Sequence, residues 1–210
     1  MSVITEMAEL VQKGKAQEVA DLVSQALDEG FEPQQILDDG LLKGMGELGV
    51  RFKNNEVFVP EVLIAARALN KGTETLKAKL VGLDIKPIGR VVLATVAGDL
   101  HDIGKNLVKL MLEGAGFEVI DLGTDVPADK IVAAVNEHNP EVLALSALLT
   151  TTMAAQGDVI KALVDAGVRD KVKVIVGGAP ITDAFAKEIG ADGYSEDASG
   201  AADVAKQMLQ

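Results

Sequence analysis

The sequence predicts an α/β protein in two parts, a four-helix bundle followed by a doubly wound, five-stranded parallel sheet. Three observations carry this reading. Apolar residues recur at helical spacing over residues 1–82. From residue 90 onward, short and nearly continuous apolar runs alternate with amphipathic segments. The core material is small: 48% of residues are hydrophobic but only 3% are aromatic, which suits helices packed closely on each other or on a parallel sheet.

Helices are expected near residues 3–12, 15–29, 33–52 and 60–80. Lys13-Gly14-Lys15 breaks the first pair. At Gly30-Phe31-Glu32-Pro33 a glycine can end one helix and a proline can open the next. Ile36, Leu37, Gly40, Leu41, Gly44, Met45 and Leu48 form one apolar stripe, and Val62, Leu63, Ala66, Leu69 and Leu76 form another. Short loops between four such helices predict a small antiparallel bundle over 1–82. Residues 83–89 hold a proline and a glycine without helical periodicity and read as a linker. In the second part, over 90–210, strands are expected at 90–96, 117–121, 142–146, 172–176 and 191–194. Helices are expected at 103–113, 128–136, 153–166, 181–188 and 201–209. Right-handed crossovers turn this alternation into a Rossmann-like or flavodoxin-like sheet. Its ligand crevice should lie at the C-terminal strand ends, where the strand order reverses.

Composition narrows the function. The net charge is −12, with no Lys/Arg cluster, so nucleic acid and anionic membrane surfaces are disfavoured partners. The absence of Cys excludes disulfides and thiolate chemistry. No basic segment followed by an apolar run opens the chain, and no apolar stretch reaches about 18 residues. A soluble, cytoplasmic protein is therefore expected.

The chemistry gathers at the predicted strand ends. The first strand runs into Gly98-Asp99-Leu100-His101-Asp102-Ile103-Gly104. In an extended segment, Asp99 and His101 would project to one side, and the carboxylate would accept the imidazole Nδ1 proton. Nε2 would then face outward, ready to ligate a metal or take a proton. The ordinary alternative is that His101 or Asp99 merely caps the following helix. His138 precedes Asn139-Pro140 at a helix end, on the opposite side of the sheet, and reads as a capping or solvent residue. Gly104, in the first helical turn, costs about 1 kcal/mol relative to Ala and is tolerable if something bulky lies against the backbone. The third strand ends in Ser146, followed by Leu148 and by Thr150, Thr151 and Thr152. Thr150 or Thr151 would by default cap the next helix, while Ser146 could donate to a buried ligand nitrogen. Gly177-Gly178 close the fourth strand and leave room for a ligand to press against the main chain, or simply make a turn.

Asp99-x-His101-x-x-Gly104, Ser146-x-Leu148 and Gly177-Gly178 together resemble the signature of cobalamin-binding domains that hold their cofactor base-off, with a protein histidine on cobalt. The whole chain is similar to the corrinoid proteins of methanol, methylamine and O-demethylase methyltransferase systems, and to the cobalamin module of methionine synthase. Met45-Gly46-Glu47-Leu48-Gly49-x-x-Phe52 and Phe58-Val59-Pro60-Glu61 resemble the helical cap of that family, so the likeness covers nearly all of the sequence. The resemblance implies His101 as the lower axial ligand, Asp99 as its hydrogen-bond partner and Thr152 as the hydroxyl completing the relay. It places Asp102, Ile103, Gly104, Ser146, Leu148, Thr150, Gly177 and Gly178 along the cofactor and its nucleotide tail. Phe58 and Val59 would cover the upper face, with Ala65 and Ala68 bordering the same surface.

The implied function is carriage rather than autonomous catalysis. A methyl group on the cobalt of a base-off cobamide (cobalamin or a related corrinoid) would pass from a substrate-specific methyltransferase to a methylcorrinoid:acceptor methyltransferase serving tetrahydrofolate or a thiol carrier. A reductive activase would be a further partner. The cap would have to move to admit them, with 83–89 as its hinge. Three other readings compete: a cobamide-binding subunit of a mutase or B12-dependent regulator, a flavodoxin-like or receiver-like domain without cobamide, and a helical scaffold with an incidental α/β domain. A receiver needs an aspartate at the third strand end, where this chain has Ser146. The residues name neither the methyl donor nor the acceptor, the lower base or the oligomeric state.

Overall fold

The computed structural model describes residues 2–79 and 86–209. The expected linker positions 83–85, and residue 80 of the fourth expected helix, lie outside the described residues. The chain forms two compact units, residues 1–87 with Gly114–Gly116, and residues 88–113 with 117–210. Among the described residues, no helix is long and apolar enough to cross a membrane.

The first unit is helical: α1 (Val3–Gln12), α2 (Ala16–Asp28), α3 (Pro33–Gln35), a π-helical segment (Ile36–Leu42), α4 (Lys43–Lys53) and α5 (Val59–Lys79). The third expected helix is therefore not uniformly α-helical, because its middle widens into π-helix. The predicted stripe survives this change: Ile36, Leu37, Gly40, Leu41, Gly44, Met45 and Leu48 are all buried. Gly44 lets α1 cross at backbone distance, since a β-carbon there would lie 2.5 Å from the Ala8 carbonyl oxygen. At the start of α5, the Glu61 carboxylate accepts the Phe58 N–H (3.2 Å), half of a capping box. This fixes the backbone at Phe58, whose side chain is 65% exposed.

Ala65 and Ala68 are both fully buried. Ala65 belongs to the same three- and four-residue spacing as Val62, Leu69, Gly72 and Leu76, the face that α5 commits to packing. Leu63, assigned to that core stripe from the sequence, is instead half exposed, as is Ile64 beside it.

In the second unit, strands β1 (Arg90–Thr95), β2 (Glu118–Asp121), β3 (Val142–Ser146), β4 (Lys173–Gly177) and β5 (Gly193–Ser195) form one parallel sheet in the order β2-β1-β3-β4-β5. Helices α6 (Ile103–Gly114), α7 (Ala128–His138), α8 (Ala154–Asp165), α9 (Asp183–Glu188) and α10 (Ala198–Gln207) connect and close it. A 3-10 turn at Arg169–Lys171, not anticipated from the sequence, leads into β4. The near-continuous apolar runs have their physical reason here. Val92, Ala94, Leu143, Leu145, Val174 and Val176 share one core with α7, α8 and α9, and the alternate residues Val91, Leu93, Ala144 and Ile175 are buried as well.

The chain leaves β1 for β2 on one side and then returns to β3 on the other. The reversal opens a crevice beside the C-terminal end of β1. Behind it, the buried Lys105 ammonium of α6 bonds both Asp121 carboxylate oxygens at the end of β2, each at 2.7 Å. Burial alone would raise the Asp121 carboxyl, but this contact outweighs burial and holds it below the usual range. The pair ties the start of α6 to the sheet.

Candidate functional site

The segment carrying Asp99 and His101 is a loop, not the extension of β1 that the sequence suggested. Regular pairing stops at Thr95, and Val96 keeps one bond to the Ser146 carbonyl (3.0 Å) and an isolated bridge to Val126. Gly98 then turns the chain at φ 80, and the Asp99 N–H donates back to the Val96 carbonyl (3.2 Å). The two side chains still meet, for a different reason. Asp99 Oδ1 accepts the His101 backbone N–H (3.1 Å) and also lies 2.7 Å from His101 Nδ1. The two-residue spacing suits a carboxylate that bonds the backbone two positions ahead.

Asp99 is fully buried, and its second oxygen is equally occupied. Oδ2 accepts the Thr152 hydroxyl (2.7 Å), the Leu148 N–H (2.7 Å) and the Leu149 N–H (3.3 Å). Burial pushes this carboxyl up. The donors from Thr152, Leu148 and His101 more than offset it and hold the group well below the usual carboxylate range. An ionised carboxylate can only accept hydrogen bonds, so the contact with His101 places the proton on Nδ1. In the neutral ring the lone pair is then on Nε2, and the ring is half exposed.

The surroundings of that ring are apolar and open. Leu100 and Ile103 are 74% and 75% exposed, and Leu148 and Leu149 are 41% and 42% exposed. Leu100 and Ile103 lie beside His101 in sequence, and Leu148 and Leu149 are tied through their backbone to the same Asp99 carboxylate, so four exposed aliphatic residues belong to this one loop cluster. Covering contributes roughly 1.5–3 kcal/mol for each such side chain taken fully out of water. A β-carbon added at Gly104 would meet nothing within 4 Å, so this glycine borders open space. The Asp102 carbonyl accepts the Asn106 backbone N–H (2.7 Å), and its carboxylate accepts the Asn106 side-chain amide (3.3 Å).

Thr95, Ser146, Gly177 and Ser195 sit at one level across β1, β3, β4 and β5. They form a row of small residues at the strand ends. Gly178 answers first to its own backbone. At φ 125, a β-carbon there would lie 1.8 Å from the Ala147 carbonyl oxygen, so no other residue fits. Thr150 and Thr151 are exposed and do not cap α8, because the residue preceding that helix, Met153, makes no side-chain capping bond. Thr152 does the local work instead, its hydroxyl also accepting the Leu149 N–H (3.3 Å).

Several contributors escaped sequence reasoning. The Leu148 and Leu149 amides act through their backbone, which no side-chain pattern reveals. Thr95, fully buried in β1, donates its hydroxyl to the His101 carbonyl (2.9 Å). Asp125 contacts the loop from the β2–α7 connection. Gln156, also buried, bridges the Leu145 and Gly177 carbonyls at the ends of β3 and β4 (3.1 Å each). Phe58 and Val59 belong to the first unit, at the start of α5.

Thr152→Val removes only the hydroxyl from the Asp99 cluster. It is expected to destabilise the protein by about 1.5–3 kcal/mol, the range for a hydrogen bond to a charged group. Thermal unfolding measures this, and Thr152→Ser should recover most of the loss.

The donor set limits what the site can hold. Among the described residues there is no group of three or more His, Cys, Asp or Glu suited to a metal ion. A single outward imidazole nitrogen in an apolar surround fits a metal that arrives with its other ligands already in a macrocycle, and the residues present fit such a group.

Comparison with known proteins agrees. A family model described as a B12 binding domain matches residues 89–203, and a second of the same description matches residues 3–77. The chain is 44% identical over 207 residues to dimethylamine corrinoid protein 2 of Methanosarcina acetivorans, covering 98% of this chain and 95% of that one. It is similar to the crystal structure of the methanol:cobalamin methyltransferase complex of Methanosarcina barkeri, with a TM-score of 0.90, 34% identity and coverage of 99% of this chain and 79% of that chain. It is also similar to a cobalamin-binding protein from Desulfitobacterium hafniense, with a TM-score of 0.81, 32% identity and coverage of 99% and 98%. The chain belongs to the B12-binding corrinoid protein family.

Proposed function

We propose that this protein carries a methyl group on the cobalt of a bound cobamide, accepting it from a substrate-specific methyltransferase and yielding it to a second methyltransferase. The observation that carries the reading is the His101 ring, with Nδ1 committed to a buried, ionised Asp99 and Nε2 open among exposed aliphatic side chains. When bound, the cobamide supplies a nucleophilic cobalt that accepts and releases the methyl group.

The chain's own residues prepare the site. His101 presents Nε2 as the lower axial ligand, in place of the cofactor's own base. Asp99 keeps the proton on Nδ1 and the ring in one orientation. Thr152, with the Leu148 and Leu149 amides, keeps Asp99 ionised and immobile. Leu100, Ile103, Leu148 and Leu149 exclude water around the ligand nitrogen. Gly104, Ser146, Gly177 and Gly178 line the path of the displaced nucleotide tail, with Asp102 and Thr150 at its margin. Phe58 and Val59 shield the reacting face. Residues 1–82 act as the cap, joined to the cobamide domain 90–210 by the linker 83–89.

Donor recognition falls to the partner methyltransferase, because the described residues place few polar groups around the site for activating a methyl donor. The relatedness to dimethylamine corrinoid proteins and to the methanol complex supports partners of these classes, and a reductive activase would restore oxidised cobalt.

The test is electron paramagnetic resonance of the cobalt(II) form after reconstitution with a cobamide. In protein grown with 15N-histidine, the axial nitrogen splitting should change from a triplet to a doublet. A triplet that persists places the cofactor's own base on cobalt and overturns histidine ligation.

A further inference from the structure

The histidine loop is gripped from a direction that the Asp-x-His motif does not reach. Asp125, in the β2–α7 connection, has a left-handed backbone at φ 52. Its backbone N–H donates to the Asp99 carbonyl (2.9 Å), and its carboxylate Oδ1 accepts the Gly98 N–H (2.7 Å). One residue thus holds the two peptide groups that flank the Gly98–Asp99 pair. The Asp99 N–H is itself tied to Val96, and Thr95 holds the His101 carbonyl. What remains free at Asp99 is its side-chain rotation, which the Thr152, Leu148 and Leu149 donors set.

The residue type follows from two demands. A left-handed conformation is tolerated by Gly, Asn and Asp far better than by other residues. An acceptor one carbon beyond Cβ is needed to reach Gly98. Glycine meets the first demand only, and Asp or Asn meets both. The charge is not required, because Asp125 is solvent-exposed and its partners are backbone groups.

We propose that Asp125 is a positioning residue for His101: by holding Gly98 and Asp99 together, it sets where the Asp99 carboxylate meets the imidazole, without itself touching the cofactor. The inference rests on the proposed function only in taking His101 as the ligand. The positioning itself can be read in the cofactor-free protein. An exposed hydrogen bond of ordinary strength shifts a two-state alignment by roughly 2- to 12-fold.

The experiment is nitrogen NMR of the two histidine rings in 15N-histidine-labelled apoprotein near neutral pH, with His138 as the internal control. Wild type should show His101 with a protonated Nδ1 and a bare Nε2. In Asp125→Gly, the two nitrogen shifts should move toward each other and the Nδ1 proton should exchange about 2- to 12-fold faster. The urea midpoint should stay close to wild type, and Asp125→Asn should restore the wild-type ring signals. Should the glycine variant not fold, Asp125→Glu keeps the charge but displaces the acceptor by one methylene, and it should show the same change. Wild-type tautomer and exchange in the folded Gly or Glu variant overturn the proposal. Failure of the axial-nitrogen experiment in a protein whose Asp125 variants behave as expected would overturn the ligand assignment and leave the brace intact.

Discussion

His101→Ala is expected to bind a cobamide and yet show no protein nitrogen on the cobalt. The apolar rim of Leu100, Ile103, Leu148 and Leu149 and the small row at the strand ends are untouched by this change, so most of the binding surface remains. The ligand bond is lost entirely. Its effect on methyl transfer should exceed the 10–100-fold, on the order of magnitude, that follows loss of a partner supporting a metal ligand. Absorption and cobalt(II) resonance spectra report the ligand, and a coupled assay with a partner methyltransferase reports transfer. Spectra identical to wild type would reject axial ligation by this residue.

The second large effect is expected at Asp99, where two variants separate two roles. Asp99→Ala takes the shared acceptor from the Leu148 amide and the His101 Nδ1–H, and leaves the Thr152 hydroxyl and the Leu149 amide only each other's local bonds. Each buried donor left unpaired costs about 1–3 kcal/mol. Asp99→Asn is milder for the fold and more telling for the chemistry. The Leu148 N–H and the Thr152 hydroxyl both call for an oxygen at the Oδ2 position, so the new amide nitrogen is expected to face His101, giving up the weaker bond from the His101 backbone N–H (3.1 Å). A donor there forces Nδ1 to become the acceptor and moves the proton to Nε2, which closes the ligand position. Nitrogen NMR of the apoprotein should show the switched tautomer, and affinity or transfer should fall by roughly 10–100-fold.

The same carboxylate imposes a pH dependence. Its folded state holds fewer protons than the unfolded chain, so its stabilisation is fully present above the ordinary carboxylate value of about 4 and is lost as pH falls below it. The stability difference between wild type and Asp99→Asn should shrink by up to about 1.4 kcal/mol per pH unit below that point. Chemical denaturation of both proteins between about pH 5 and 3 measures it. A constant difference would mean that Asp99 is not held ionised.

The architecture was legible because its signals are local and repeated. Continuous runs such as Val142–Ser146 admit little but a strand covered on both faces, and the reversal of strand order places the crevice where His101 stands. The motif residues were legible as a set, but their geometry was not. Asp99 and His101 meet through a turn anchored on Gly98 rather than along an extended strand. Alternation along a strand is a property of neighbouring residues; a loop's course depends on what holds it from other segments. Leu63 shows the same limit in the helical unit, where a one-residue difference in facing decides between core and surface.

The amino-acid sequence by itself determined the succession of a helical region and a parallel α/β region, and it singled out the histidine, aspartate and threonine that meet beyond the end of β1. These follow from periodicity and residue type, which act over a few positions. Only the tertiary structure decided that Asp99 is saturated with donors from a segment about fifty residues away, that Thr95 and Asp125 steady the loop, and that Gly178 is required by the Ala147 carbonyl. Hydrogen bonds between distant backbone groups leave no pattern in composition or spacing. They exist once the sheet has brought the ends of β1 and β3 together.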